Sequence, residues 1–456
     1  METINKRPTP EFEKFNEWES YPTQMPHEFM QSMDEGLDIK AYEEIFYAIY
    51  RMPDGELRHK LADAMYDLVL NAKTREDYKY NEPSDLESIK ALRKPYEVKG
   101  TKPDDYHKKL LGAWMGRICG CLLGKPVECM RTNELVPMLK ASGNYPMHRY
   151  ILSTDITEEM YNTYEFNLKG KAFADTVDGM PMDDDTNYVV IAQEIINQKG
   201  RDFTPNDMAR YWARCQPKFF YCTAERVAYI NFTNGFEAPA SAVYKNPFRE
   251  WIGAQIRGDY FGYINPANPE KAAELAFKDA SISHTKNGIY GEMFVAAMLA
   301  CAAVTDNIED IILGGLAQIP YTSRLYEGVM SVLDGYKNGT TETECFERIH
   351  NMFDEHSDHG WTHTIPNAMI VTAALLYGKG DYSRSICMSV ETGFDTDCNG
   401  ATVGSILGMR NGIDAIDEKW TAPVKDTLET TIFGVGKVKI SERVKMTLDH
   451  VEWGNI

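Results

Sequence analysis

Two short acidic segments carry residue types and spacings that could do chemistry. Pro181-Met182-Asp183-Asp184-Asp185-Thr186-Asn187 runs straight into an apolar helical pattern, Tyr188, Ile191, Ala192 and Ile195. Glu391-Thr392-Gly393-Phe394-Asp395-Thr396-Asp397-Cys398-Asn399-Gly400 sets a D-x-D pair just ahead of an expected helix, 399–410. One aspartate at a helix start is a common cap, favoured by free N–H groups and the helix dipole. Three adjacent aspartates repel one another, and a hard divalent cation is their natural partner. Taken alone, each segment also reads as a solvated acidic cap. Two such loops, each at a helix start, could face one another across one or two ions and orient a water and substrate oxygens.

Three further segments read blandly by themselves. In Gly120-Cys121-Leu122-Leu123-Gly124-Lys125-Pro126-Val127-Glu128 a helix stops, turns through proline and presents an acid. Ser281-Ile282-Ser283-His284 offers a lone histidine, a residue more often structural than catalytic. His356-Ser357-Asp358-His359-Gly360-Trp361-Thr362-His363 invites a zinc reading. Against zinc, Gly360 breaks the helical spacing, no cysteine is near and no H-E-x-x-H occurs.

Helical periodicity must position these segments. It predicts helices over 104–124, 185–199, 205–215, 270–280, 289–305, 308–318, 322–336, 341–354, 366–377 and 399–410. The best strand signal is Ile432–Ile440, and Asn231–Pro269 is expected to be a long ordered loop. Residues 1–100 read as a helical extension, with helices over Asp38–Met52 and Gly55–Asn71 and a polar stretch after them. Residues 101–456 form the expected main domain. Gly112, Gly116, Gly120 and Gly124 recur every fourth residue, as do Gly400, Gly404 and Gly408. Glycine inside a helix costs about 0.5–1 kcal/mol relative to alanine. Such a row therefore suits close approach of another backbone, either as plain tight packing or to bring the acidic loops together.

The 456 residues, 43% hydrophobic and 25% charged, suffice for a sizeable core. A net charge of −20 disfavours nucleic acid and anionic membranes as partners. The opening METINKRPTPEFEKF has no apolar core of a signal peptide, and the run Met293–Val304 is too short to span a bilayer. Nine scattered cysteines without a C-x-x-C pair fit a reducing compartment, so a cytoplasmic protein is expected.

Together the segments resemble the ADP-ribosylglycohydrolase family over about residues 105–412. Gly116…Gly120-x-x-x-Gly124-x-Pro126-x-Glu128 is similar to the family's opening G-D-A-x-G-x-P-x-E, and Asp183-Asp184-Asp185-Thr186 to its T-D-D-T. Gly253-Ala254-Gln255-Ile256-Arg257 is similar to N-G-A-x-x-R, Ser283-His284 to S-x-T-H, and Gly393-Phe394-Asp395-Thr396-Asp397-Cys398 to G-G-D-T-D-T. The resemblance implies an all-α, compact multi-helix domain holding two ions, magnesium or manganese. It implies Asp183, Asp184, Asp185, Asp395 and Asp397 as metal ligands, and Glu128 with Asp185 as the catalytic carboxylates. Gly124, Arg257, His284 and Cys398 would line the substrate. The implied reaction cleaves the anomeric bond of ADP-ribosyl groups on a small-molecule or protein acceptor. The chain departs from the pattern at Asp183 and Cys398, which stand for threonines, at Cys121 for an aspartate, and at Phe394 for a glycine.

Small nucleoside-like ribosides as substrates, and a non-catalytic ligand-binding role, stay open as alternatives. A terpenoid-synthase reading lacks a further aspartate, since Thr186 and Asn187 follow the triple. A haloacid-dehalogenase reading needs an apolar strand before Asp395, and Met388-Ser389-Val390-Glu391-Thr392 is not one.

Overall fold

The computed structural model describes residues 17–455; the opening segment judged free of a signal peptide lies outside the described residues. The chain is mostly helical, with 62% helix and 3% strand. Helices form where the apolar periodicity placed them, among them Tyr106–Gly124, Asp184–Lys199, Lys286–Ala302, Thr364–Tyr377 and Thr396–Asn411. No helix among the described residues is long and apolar enough to cross a membrane.

Several helices were not expected from the pattern. Thr132–Ala141 carries Pro137 inside, and Thr223–Thr233, Tyr382–Glu391 and Ile440–Asp449 fall in stretches without a clean apolar stripe. The strand expected over Ile432–Ile440 is replaced by a short hairpin. Thr427–Glu429 pairs antiparallel with Lys437–Lys439, and the turn between them uses the left-handed glycines Gly434 and Gly436. Nor is Asn231–Pro269 a plain loop. It contains the short helices Ala240–Val243 and Asp259–Tyr263, and Asn231 Nδ2 ties it down by donating to the carbonyls of Ser241 and Tyr244, 2.8 Å each.

The centre of the fold is a pair of antiparallel helices, Tyr106–Gly124 and Thr396–Asn411. Their glycines meet in reciprocal pairs: Gly112 faces Gly408, Gly116 faces Gly404 and Gly120 faces Gly400. A Cβ on any of the six would fall within 3.0 Å of the facing backbone carbonyl. The column continues to Gly124, whose carbonyl accepts from Thr396 Oγ1 at 3.0 Å. The glycine spacing thus has two consequences. It packs two backbones together, and it joins the C-terminal end of one helix, which leads to Glu128, to the start of the other, which carries Asp397.

The N-terminal helices Met25–Asp34, Glu43–Arg51 and Glu56–Asn71 share a small apolar cluster of their own, including Met25, Phe29, Phe46 and Met65. They meet the rest of the chain through buried ion pairs. Arg249 reaches Glu28 at 2.9 Å and Glu35 at 2.6 Å.

Candidate metal centre

Asp183 precedes the Asp184–Lys199 helix, and its side chain accepts from Asp185 N at 2.9 Å. The capping role of a helix-start aspartate is therefore taken by one member of the triple. Asp185, on the first turn, is fully buried and turned inward. Arg117 holds it from the glycine helix: Nη2 donates to Asp185 Oδ1 at 3.0 Å and Nε to the Asp185 carbonyl at 2.8 Å. The same guanidinium is ion-paired with buried Asp259 at 3.1 Å. Lys125 Nζ holds Asp183 at 2.5 Å. Asp184 is the half-buried member and has no cation of its own among the ion pairs of the described residues.

The second loop brings Asp395 and Asp397, both buried, to the start of the Thr396–Asn411 helix. Phe394 takes a left-handed φ of 59° and Gly393 one of 75°, which turns the loop sharply inward. Asparagine 367 supports it: Asn367 Oδ1 accepts from Asp395 N at 3.3 Å and from Asn399 Nδ2 at 2.8 Å. Cys398 closes the two loops together, its thiol donating to Asp185 Oδ2 at 3.1 Å.

The two loops converge. Cys121, Asp183, Asp185 and Asp397 each place a donor atom within 4.8 Å of the others, and Asp395, Asp397 and Cys398 do the same. Asp395 Oδ1 and Asp397 Oδ1 are buried with no hydrogen-bond partner. Buried polar atoms are normally satisfied, so two unpartnered carboxylate oxygens in an acidic cluster suit a divalent cation. Burial, followed by the carboxylates around them, pushes the Cys121 and Cys398 thiols well above their ordinary range. A hard cation would rest on the carboxylate oxygens.

The electrostatics describe a site overloaded with negative charge. Burial and neighbouring carboxylates push Asp184 up to about 8 and Asp397 up to about 6. Burial raises Asp185 well above the usual range despite Arg117, and does the same for Asp395. Half-buried Glu128 is raised chiefly by Asp397, then by burial, Asp183 and Asp184. Glu128 therefore stands within the field of both loops.

The other residues expected to line the substrate, Gly124, Arg257 and His284, are all buried in the fold. Arg257 is fully enclosed. Its Nε donates to Asp279 Oδ2 at 2.8 Å and its Nη2 to Ser283 Oγ at 3.1 Å, while Glu225 and Glu292 complete a cage of carboxylates. It ties these interior carboxylates together. His284 is also buried, with Nδ1 bonded to Ser283 Oγ at 2.8 Å. Gly124 serves close packing, since a Cβ there would strike the Thr396–Asp397 backbone. Gly253, in the same segment as Arg257, leaves room for the Glu225 carboxylate. Burial pushes Glu225 up to about 7, and its charge in turn raises Asp184. Sequence reading missed Arg117, Lys125 and Glu225. Only Arg117 left a signal, the one charge within the otherwise apolar Gly112–Gly124 stretch.

The histidine segment makes a second cluster, in which His359 Nε2 bonds Asp34 Oδ2 at 2.9 Å and His363 lies alongside. Trp251 Nε1–H donates to His359 Nδ1 at 3.1 Å, and Ile365 N–H donates to His363 Nδ1 at 3.2 Å. Both Nδ1 atoms must therefore be acceptors, which leaves the hydrogens on Nε2. A metal on Nε2 would need the opposite tautomer. The cluster is built for hydrogen bonding.

The fold is helical, and where the ends of three helices meet it gathers buried acidic groups that could hold a metal ion. A model of the ADP-ribosylglycohydrolase family matches residues 102–446, and the chain belongs to that family. A solved structure described as an "ADP-ribosylglycohydrolase-related protein complex" is similar at 17% identity and a TM-score of 0.47, over 76% of this chain and 98% of that one. No curated protein matches the chain.

Proposed function

We propose that this chain is a metal-dependent glycohydrolase that cleaves the anomeric bond of an ADP-ribosyl group on a protein or small acceptor. The observation that carries the reading is the convergence of two aspartate loops, distant in sequence, with unpartnered oxygens beside Glu128. Asp184, Asp185, Asp395 and Asp397 would hold one or two magnesium or manganese ions, with Asp183 kept in place by Lys125. Bound ions would supply charge stabilisation for ribose hydroxyls and a water.

The chain's own groups do the rest. Arg117 and Cys398 fix the orientation of Asp185, and fixed donors need no rearrangement during reaction. Glu128, on the segment that leaves the glycine helix, meets the attacking water and handles its proton. The surrounding carboxylates favour the positive charge that develops at the anomeric carbon of an oxocarbenium-like transition state. Calorimetry of chelator-treated protein with Mn2+ tests the metal; no uptake at millimolar concentration overturns the reading.

One observation favours a second reading, a hydrolase of small ribosides. Arg257, the cation expected to meet a diphosphate, is spent on internal carboxylates. The ratio of kcat/KM for an ADP-ribosylated peptide to that for a riboside with the same leaving group separates the two. A ratio above about a thousand, roughly 4 kcal/mol, supports the ADP-ribosyl substrate, and a ratio near one supports the riboside.

A further inference from the structure

Asn367 is fully buried at the first turn of the Thr364–Tyr377 helix. Its amide joins two parts of the molecule. On one side Oδ1 accepts from Asp395 N and Asn399 Nδ2. On the other, Nδ2 donates to the carbonyls of Trp361 at 2.8 Å and His363 at 2.9 Å. All four hydrogen-bonding positions of the amide are used, which fixes its orientation.

The 361–363 turn is itself held from the far side. Ile252 N donates to the Thr362 carbonyl at 2.8 Å, and Thr364 N donates to the Glu250 carbonyl at 3.1 Å. His359, at the head of this turn, is clasped between Trp251 Nε1 and Asp34, the last residue of the N-terminal Met25–Asp34 helix. Hydrogen bonds and packed backbone thus run without a break from the N-terminal extension to the Asp395 loop.

We propose that Asn367 is a positioning residue for the Asp395–Asp397 loop, and that Asp34 of the N-terminal extension steadies it through His359 and the 361–363 turn. The proposal rests on the reading of that loop as a metal site. It gives the N-terminal helices a part in the site that their sequence does not announce. Residues that orient metal ligands commonly change metal affinity about ten- to hundredfold when altered.

The variant N367D tests it. Aspartate keeps the shape and can still accept from Asp395 N and Asn399, but it cannot donate to Trp361 and His363. Its added negative charge, acting alone, would tighten cation binding. Weaker binding can therefore come only from lost geometry. The expected result is Mn2+ affinity in calorimetry lowered about tenfold or more, with faster hydrogen exchange at residues 393–399 and unchanged exchange in the Tyr106–Gly124 helix. Activity should recover at high Mn2+. D34A, at a half-exposed position that tolerates truncation, should move the same two readouts in the same direction by a smaller factor, and it carries the test should N367D fail to fold. A lower melting temperature with wild-type Mn2+ affinity and unchanged exchange at 393–399 would make Asn367 merely structural and overturn the proposal. Unchanged readouts in D34A would overturn the part given to the N-terminal extension. If the wild type takes up no Mn2+, the metal reading fails, and exchange at 393–399 decides on the clamp alone.

Discussion

Replacing Gly120 by alanine puts a methyl group where the Gly400 carbonyl already stands. The new Cβ would lie within 3.0 Å of that oxygen, against 3.4–4 Å for ordinary contact. The obstacle is backbone inside a helix, which has no rotamer to give way, so the two helices must part by something on the order of 1 Å. Alanine's better helix propensity returns up to about 1 kcal/mol. Overpacking a tight interior costs about 1–3 kcal/mol, and more where backbone must move. The expected net effect is a loss of about 1–3 kcal/mol in urea unfolding. The same parting strains the Thr396–Gly124 hydrogen bond and moves the Asp397 loop away from Glu128, so Mn2+ binding should weaken as well. Gly328 is the control. A Cβ there would meet Met369 Sδ at 3.1 Å and Ile365 Cγ2 at 3.2 Å, both on side chains that can shift. G328A should stay within about 1 kcal/mol of wild type with unchanged Mn2+ affinity. If G120A unfolds at the wild-type urea midpoint and binds Mn2+ normally, the glycine column does not position the site.

Other outcomes follow from the charges. D397N should abolish or sharply weaken Mn2+ uptake while making the metal-free protein more stable at pH 7, by about 2–3 kcal/mol, because a buried carboxylate raised to about 6 is ionised there at a cost; a metal-free variant less stable than metal-free wild type would make Asp397 structural. The folded-state values of Asp184 and Asp397 lie above the ordinary 3.8, so their contribution to stability is complete below about pH 4 and lost as pH rises towards about 8. The shift in melting temperature on adding Mn2+ should therefore grow between pH 5 and 8, and a shift that shrinks over that range contradicts the site. R117M removes the buried cation that Asp185 and Asp259 share and should cost about 3–5 kcal/mol; denaturant melts near wild type would show that neither depends on it.

The helices that position the site were legible because long apolar stripes and clean ends mark them, as at Thr364–Tyr377 with Gly378 just beyond. The two aspartate loops were legible too, since crowded carboxylates at helix starts are unusual in themselves. What stayed hidden is mostly pairing across the chain. Nothing near Asp185 in sequence announces Arg117, 68 residues away. Arg257 shows the same limit from the other side. An arginine that answers three buried carboxylates reads, as a string of letters, like one that awaits a phosphate. Thr132–Ala141 was masked by its internal proline, and the hairpin was misplaced because Ile432 and Val435 supply apolar residues to what is really its turn.

The facing glycines also set a rule about length. Because Gly112, Gly116 and Gly120 each have one allotted carbonyl on the opposite helix, inserting or deleting a single residue within either helix would slide every remaining glycine off its partner and bring side chains into the gap. The stretches from Gly112 to Gly124 and from Thr396 to Gly408 are therefore frozen in length as well as in composition, and descendants of this chain can grow or shrink only outside them.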